Sequence, residues 1–231
     1  MKNIDSEVIE QTMCKSKITL VTDNSSWINY YIPILMEKLG QANHETKWIH
    51  QVELITTGDF VFYLGCSQII SKNILSKNTF NLVVHESALP LGKGWSPLTW
   101  QIIEGKNEIP ITLFEAVEKV DSGKIYLTDI LRFEGTELVV ELRHKQAEIS
   151  IKLCIDFVNN YPAIISQGIE QKGQATYYKR RDPSHSRLNI DQTIREQFNL
   201  FRVVDNERYP AFFEFKDETY IVKIEKKEKH E

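Results

Sequence analysis

Between residues 17 and 117, short β-branched runs alternate with segments whose apolar residues recur at helical spacing. Few architectures accept that alternation. The strand-like runs are KITLVTDN (17–24), ETKWIHQ (45–51), DFVFYLG (59–65), FNLVVHES (80–87) and IPITLFEAV (109–117). In SSWINYYIPILMEKLG, Trp27, Tyr30, Tyr31, Ile34, Leu35 and Leu39 share a helical face, with Ser25 or Ser26 as N-cap and Gly40 as stop. SQIISKNIL (67–75) and SPLTWQIIEG (96–105) read as further helices, the second with Pro97 in its first turn and Gly105 at its end. Repeated βα units imply a parallel sheet with right-handed crossovers, an α/β fold. An amphipathic helix is expected from Thr136 to Tyr161, stopped by Pro162. The character then changes to a basic loop, a helix near 190–200 and a β-hairpin over 211–224 around Lys216, Asp217 and Glu218. Residues 1–161 and 162–231 therefore divide into a main domain and an extension.

At 231 residues, 42% of them hydrophobic, the chain can bury a full core without a metal or disulfide staple. Cys14, Cys66 and Cys154 are odd in number and lack any CxxC or Cys/His ligand spacing, so no disulfide framework or metal site is expected. A reducing cytoplasm is the expected setting. The polar N-terminus and the lack of any apolar run near the ~20 residues of a membrane span argue against secretion and membrane insertion. A net charge of −4 gives no general attraction to nucleic acid. YYKRRDPSHSR (177–187) is nonetheless a local basic cluster suited to phosphates, while KIEKKEKHE reads as a solvated tail.

Chemistry concentrates in HESALPLGKGWSPLTWQIIEG, which begins at His85 where the apolar run FNLVV ends. Ligands of open α/β sheets bind beyond the carboxyl ends of the strands, so His85, Glu86 and Ser87 emerge toward a cleft. A lone histidine in that position also serves simply to end a strand. After the next strand comes EKVDSGKIY, where Asp121 belongs either to a plain Asp-Ser-Gly turn or to a site. The two segments say more together: each follows a strand, and adjacent parallel strands would bring His85 and Asp121 to one cleft.

These residues resemble the formyltransferases that use 10-formyltetrahydrofolate. His85, Ser87, Leu89, Pro90, Gly94, Ser96 and Pro97 match one motif of that family, and Thr112, Asp121, Gly123 and Ile125 a second. The resemblance implies a Rossmann-like, mostly parallel sheet of the formyltransferase type, with a short C-terminal extension ending in a β-hairpin. It implies His85 and Asp121 as catalytic residues, the first facing the developing oxyanion and the second tuning it and helping to move the amine proton. The folate would lie between Cys66, Ser67, Gln68, Ile69 and Ile70 on one side and Ala116, Val117, Glu118 and Asp121 on the other. One departure stands out: Val83 occupies the place of an Asn two residues before the His. Asn81 shares its strand face but lies ~6.6 Å further back, leaving Ser87 and Lys93 as the nearest polar candidates.

The C-terminal part is similar to sugar N-formyltransferases in Arg181-Asp182-Pro183, Ile190-Asp191, and Asn199, Arg202, Tyr209, Pro210 and Phe213. That similarity implies a nucleotide-linked amino sugar, with UDP or dTDP as the carrier, as the amine substrate. Its pyrophosphate would need cations and its base and deoxysugar an aromatic wall. Ser87, Lys93, Gly94, Trp95, Arg180, Arg181, Arg202, Tyr209 and Phe212 are the substrate-binding candidates. Core packing is the competing role for the aromatics of the terminal hairpin, and a solvated turn for the Arg pair. Glycinamide ribonucleotide and methionyl-tRNA substrates, or a non-catalytic folate- or nucleotide-binding module, are the alternatives. The hairpin's free edge is a place for a dimer contact.

Overall fold

A computed structural model describes residues 15–227. The strands are β1 (Lys17–Val21), β2 (Glu45–Ile49), β3 (Gly58–Tyr63), β4 (Asn78–His85), β5 (Lys93–Gly94), β6 (Glu108–Glu115), β7 (Ile125–Arg132), β8 (Tyr177–Tyr178), β9 (Ala211–Phe215) and β10 (Glu218–Val222). The α-helices are α1 (Ile32–Gln41), α2 (Lys72–Leu75), α3 (Pro97–Ile103), α4 (Val139–Asn159) and α5 (Phe198–Val203). Six strands form the main sheet in the order β2-β1-β3-β4-β6-β7. β2, β1, β3 and β4 run parallel, whereas β6 is antiparallel to both β4 and β7.

Strand alternation divides the core between the two faces of the sheet. Ile18, Leu20, Phe60 and Phe62 face α1 and α4, while Val21, Val61 and Tyr63 face Val52, Ile55 and Ile49. α4 places Leu142, Ala147, Ile151, Cys154, Phe157 and Val158 inward at helical spacing. Phe157 meets Phe60, Phe80 and Tyr126 at steep angles, with centroids 5.8, 5.9 and 5.3 Å away. Burying one such ring contributes roughly 1.5–3 kcal/mol, and this anchorage fixes which α4 residues turn toward the strand ends.

Several elements depart from the sequence expectations. The helix expected at 25–40 is split, because Pro33 has no N–H to donate: a 3-10 turn (Trp27–Tyr30) precedes α1, with Pro33 in its first turn. Gly40 lies within α1, and Asn43 (φ 65°) takes the left-handed position beyond it. The helix expected at 67–75 shrinks to α2. The Ser67 N–H donates to the Asp23 carboxylate (3.0 Å) and the Gln68 amide to His50 O (2.9 Å), so tertiary partners replace a helical turn. The helix near 190–200 is reduced to α5. The sequence expectations include no strand over 125–132, yet β7 forms there; an Asp-Ser-Gly turn followed by IYLTDIL is itself a hairpin signal. The hairpin β9–β10 turns at Lys216 and Asp217, both at positive φ.

The C-terminal segment returns to the loop after β4, where it forms a separate two-stranded sheet. β8 pairs with β5, and Lys93 N–H donates to Thr176 O at 2.9 Å. Among the described residues Cys66 and Cys154 are free thiols, and Cys14 lies outside them. No helix among the described residues is long and apolar enough to cross a membrane, and no cluster there could hold a metal ion.

Candidate active site

The strand order reverses at β1, whose neighbours β2 and β3 lie on opposite sides, and a crevice opens beyond the strand ends there. It holds a cavity of about 640 Å³ lined from the loops after β1, β3, β4 and β6, from α4 and from the C-terminal segment. His85 and Asp121 both line it. They arrive by an unexpected route: because β6 is antiparallel to β4, with His85 opposite Thr112, its loop starts at the Leu82 level and turns back over the sheet. The Ala116 N–H donates to Asn81 O at 2.7 Å, and Asp121 takes φ 52° in that turn.

Two bonds latch this loop to the one after β4. Gly94 N–H donates to Asp121 Oδ2 at 3.0 Å, and Lys93 Nζ to Ser122 Oγ at 3.2 Å. Gly94 has φ 93°, and a Cβ there would come within 2.5 Å of Tyr178 O. His85 is 7% exposed, and its Nε2 lies 2.9 Å from Gly92 O. A carbonyl oxygen only accepts, so Nε2 carries a hydrogen and Nδ1 is the nitrogen left to exchange a proton. The Asp121 carboxylate bonds to backbone, not to the imidazole.

Cys66, Ser67, Gln68, Ile69, Ile70, Ala116, Val117 and Glu118 all line the cavity, as do Gly94, Trp95, Arg180, Arg181 and Tyr209. Arg180 lies over the Trp95 ring at 4.7 Å. Burial, with Asp23 nearby, pushes the Cys66 thiol up to about 11, so it stays neutral. Val83 lines the cavity and packs in the apolar cluster that takes in Cys66, Ile70 and Ala116. Asn81 is no replacement for a polar group at 83: its amide is engaged by Leu75 O (2.8 Å) and by the Tyr63 hydroxyl (3.1 Å).

Four substrate-binding candidates lie off the cavity. Ser87 is 2% exposed beneath the Gly92 turn, and its carbonyl accepts from Thr112 Oγ1 at 2.7 Å. Lys93 is buried behind the latch, where burial lowers its pKa against the opposing pull of Asp121. Arg202 is fully buried, donating to Glu137, Asn107 and Asn199. Phe212 is half-buried in β9, and its carbonyl accepts from Leu188 N–H at 2.6 Å. Sequence reasoning in turn passed over Arg143, Gln146, Asp205 and Arg208, which all line the cavity. Arg143 pairs with Asp205 at 2.9 Å, and Arg208 donates to Ser25 O at 3.0 Å, closing the C-terminal segment over the β1 loop.

A mostly parallel sheet whose strand-end loops gather a histidine and an aspartate around one cleft is an α/β fold with a candidate active site. Residues 13–158, well over half of the chain, match the formyl transferase family, and the chain belongs to it. It is a formyl-transferring enzyme. Among solved structures it is similar to methionyl-tRNA formyltransferase from Clostridium thermocellum, at 22% identity over 88% of this chain and 89% of that one (TM-score 0.71). A 4-N formyltransferase from Francisella tularensis matches at 18% identity over 92% and 98% (TM-score 0.66). HypX from Aquifex aeolicus in complex with tetrahydrofolic acid matches at 14% identity over 90% of this chain but only 37% of that one (TM-score 0.75). At these identities the structures speak for the fold.

Proposed function

We propose that the chain moves a formyl group from 10-formyltetrahydrofolate to the amine of a UDP- or dTDP-linked amino-deoxysugar. The observation that carries this reading is one continuous cavity with three differently built regions. Its apolar wall of Cys66, Ile70, Val83 and Ala116 suits a flat pterin, with backbone groups of 66–70 and 116–118 at its rim. Its middle holds His85 and Asp121. Its far side offers Arg180 against Trp95, with Arg181 and Tyr209, a combination suited to a pyrophosphate and an aromatic base. The tetrahydrofolic acid bound by HypX agrees with such a donor.

The donor supplies the formyl carbon. The chain's part is to orient the amine, face the developing oxyanion and move protons. His85 does the last two: Nε2 is anchored on Gly92 O, leaving Nδ1 to hold or release a proton. Asp121, tied to the Gly94 N–H, acts on the imidazole across water and fixes the loop that closes the site.

The test is a screen of nucleotide-linked amino sugars with 10-formyltetrahydrofolate, following release of tetrahydrofolate. Turnover with at least one UDP- or dTDP-amino sugar is expected. Failure with all of them, together with turnover of a tRNA or ribonucleotide amine, would overturn the substrate assignment.

A further inference from the structure

Glu86 is the group that the catalytic reading leaves without a task. Glu86 is half-buried as a residue, lines the cavity and follows directly on His85. It is held from two sides. Gln146 Nε2 donates to Glu86 Oε1 at 2.6 Å, and Gln101 Nε2 donates to the Glu86 carbonyl, also at 2.6 Å. Gln146 lies mid-helix in α4, where Ser150 Oγ donates to its main-chain carbonyl at 2.7 Å. Among the described residues no lysine or arginine pairs with Glu86; Arg143, one turn from Gln146 on α4, is paired with Asp205. A desolvated carboxyl with no paired cation takes up a proton unless a cation arrives from solution.

A primary amine is such a cation. It binds at neutral pH as R–NH3⁺, yet it attacks only as R–NH2, so a proton must leave before the C–N bond forms. We propose that Glu86, clamped by Gln146, is the docking group for the substrate ammonium and the acceptor of its first proton. This rests on the reading of the cavity as an amine-formylating site. The exchange balances as R–NH3⁺ + Glu86–COO⁻ → R–NH2 + Glu86–COOH. The acid returns its proton to solvent before the next cycle. The second amine proton, lost as the C–N bond forms, passes to His85 Nδ1 and from there to the departing nitrogen. Burial raises the Glu86 carboxyl above the ordinary glutamate range, against the pull of His85 and the Gln146 hydrogen bond, which brings its basicity closer to that of an amine. Charged groups that line the same cavity include His85, Arg143, Asp205, Arg208 and Asp121.

Two measurements test this. In kinetics on Glu86→Gln, which keeps the shape and the Gln146 contact, kcat/KM at neutral pH should fall about 10–100-fold, the range for losing a hydrogen bond to a charged group. It should then recover as pH rises through the pKa of the free amine, while the wild-type profile stays flatter. Equal depression at every pH, or a profile superimposable on wild type, would overturn the proposal. The second measurement needs no turnover: the ¹³C signal of the Glu86 carboxyl in the wild-type chain, titrated with and without glucosamine. A midpoint above the ordinary glutamate range that falls when glucosamine is added supports the docking role, and an ordinary or unmoved midpoint refutes it. If the wild type formylates no amine, the assigned function fails, and the titration still decides the role of Glu86.

Discussion

Glu137 offers a test of how the C-terminal segment is secured to the catalytic part. It sits just before α4, 5% exposed, and five donors reach its carboxylate. Oε1 accepts from Glu134 N–H (2.8 Å) and Lys145 Nζ (3.1 Å). Oε2 accepts from Gly135 N–H (3.0 Å), Thr136 N–H (3.2 Å) and Arg202 Nη2 (3.3 Å). Burial alone would raise its pKa, but the backbone N–H groups and Lys145 outweigh it and hold the carboxyl at about 2, against an ordinary 4.5. That difference corresponds to about 3 kcal/mol of stability at neutral pH. Because the folded value is the lower one, the contribution is fully present above pH 4.5 and lost as pH falls toward 2; roughly half remains at pH 3. Glu137→Gln should therefore cost about 3 kcal/mol in urea unfolding at pH 7, and visibly less at pH 3. Arg202→Met, which strips the buried guanidinium from the same carboxylate, should cost about 3–5 kcal/mol while leaving KM of the folded enzyme unchanged. A loss under about 1 kcal/mol for Glu137→Gln, or a difference constant from pH 7 to 3, would refute this account. A raised KM in Arg202→Met would return Arg202 to the substrate site.

His85→Ala should reduce formyl transfer about 10²–10⁴-fold, measured as tetrahydrofolate release, with little change in folding. Gly123→Ala should act through position alone: a Cβ there would overlap the Glu115 carbonyl oxygen, so the loop must shift and carry Asp121 with it, lowering kcat more than thermal stability. Arg180→Ala should raise KM for a nucleotide-linked amine about 3–30-fold at near-constant kcat, since its side chain rests on Trp95 at the cavity wall.

The parallel half of the sheet was legible because buried parallel strands are written as continuous apolar runs, as in FVFY and NLVV. Positions after those runs face the cleft in any such fold, which is why His85 stood out, whereas the 66–70 loop was marked only by the family resemblance. Gln146 had no such mark. It lies mid-helix, 60 residues from Glu86, and which way it points depends on how Phe157 and its aromatic neighbours seat α4. Arg202 misled for the opposite reason. A sequence displays a charge but not the Glu137, Asn107 and Asn199 acceptors that make its burial tolerable.

The reversal at β6 explains why the meeting of His85 with Asp121 was readable while its geometry was not. A parallel strand would have delivered its loop straight to the cleft, with nothing further required of the intervening residues. An antiparallel one delivers it lower on the sheet, and the chain must climb back. That climb imposes conditions at once: Asp121 in a left-handed turn, no side chain at 123 beneath the Glu115 carbonyl, and Gly94 and Lys93 placed to hold the returning loop. The glycines and the buried lysine around His85 and Asp121 are therefore parts of one latch. The Asp121 carboxylate is occupied in that latch, which leaves Glu86, held by Gln146 and paired with no lysine or arginine among the described residues, as the carboxyl for an incoming amine.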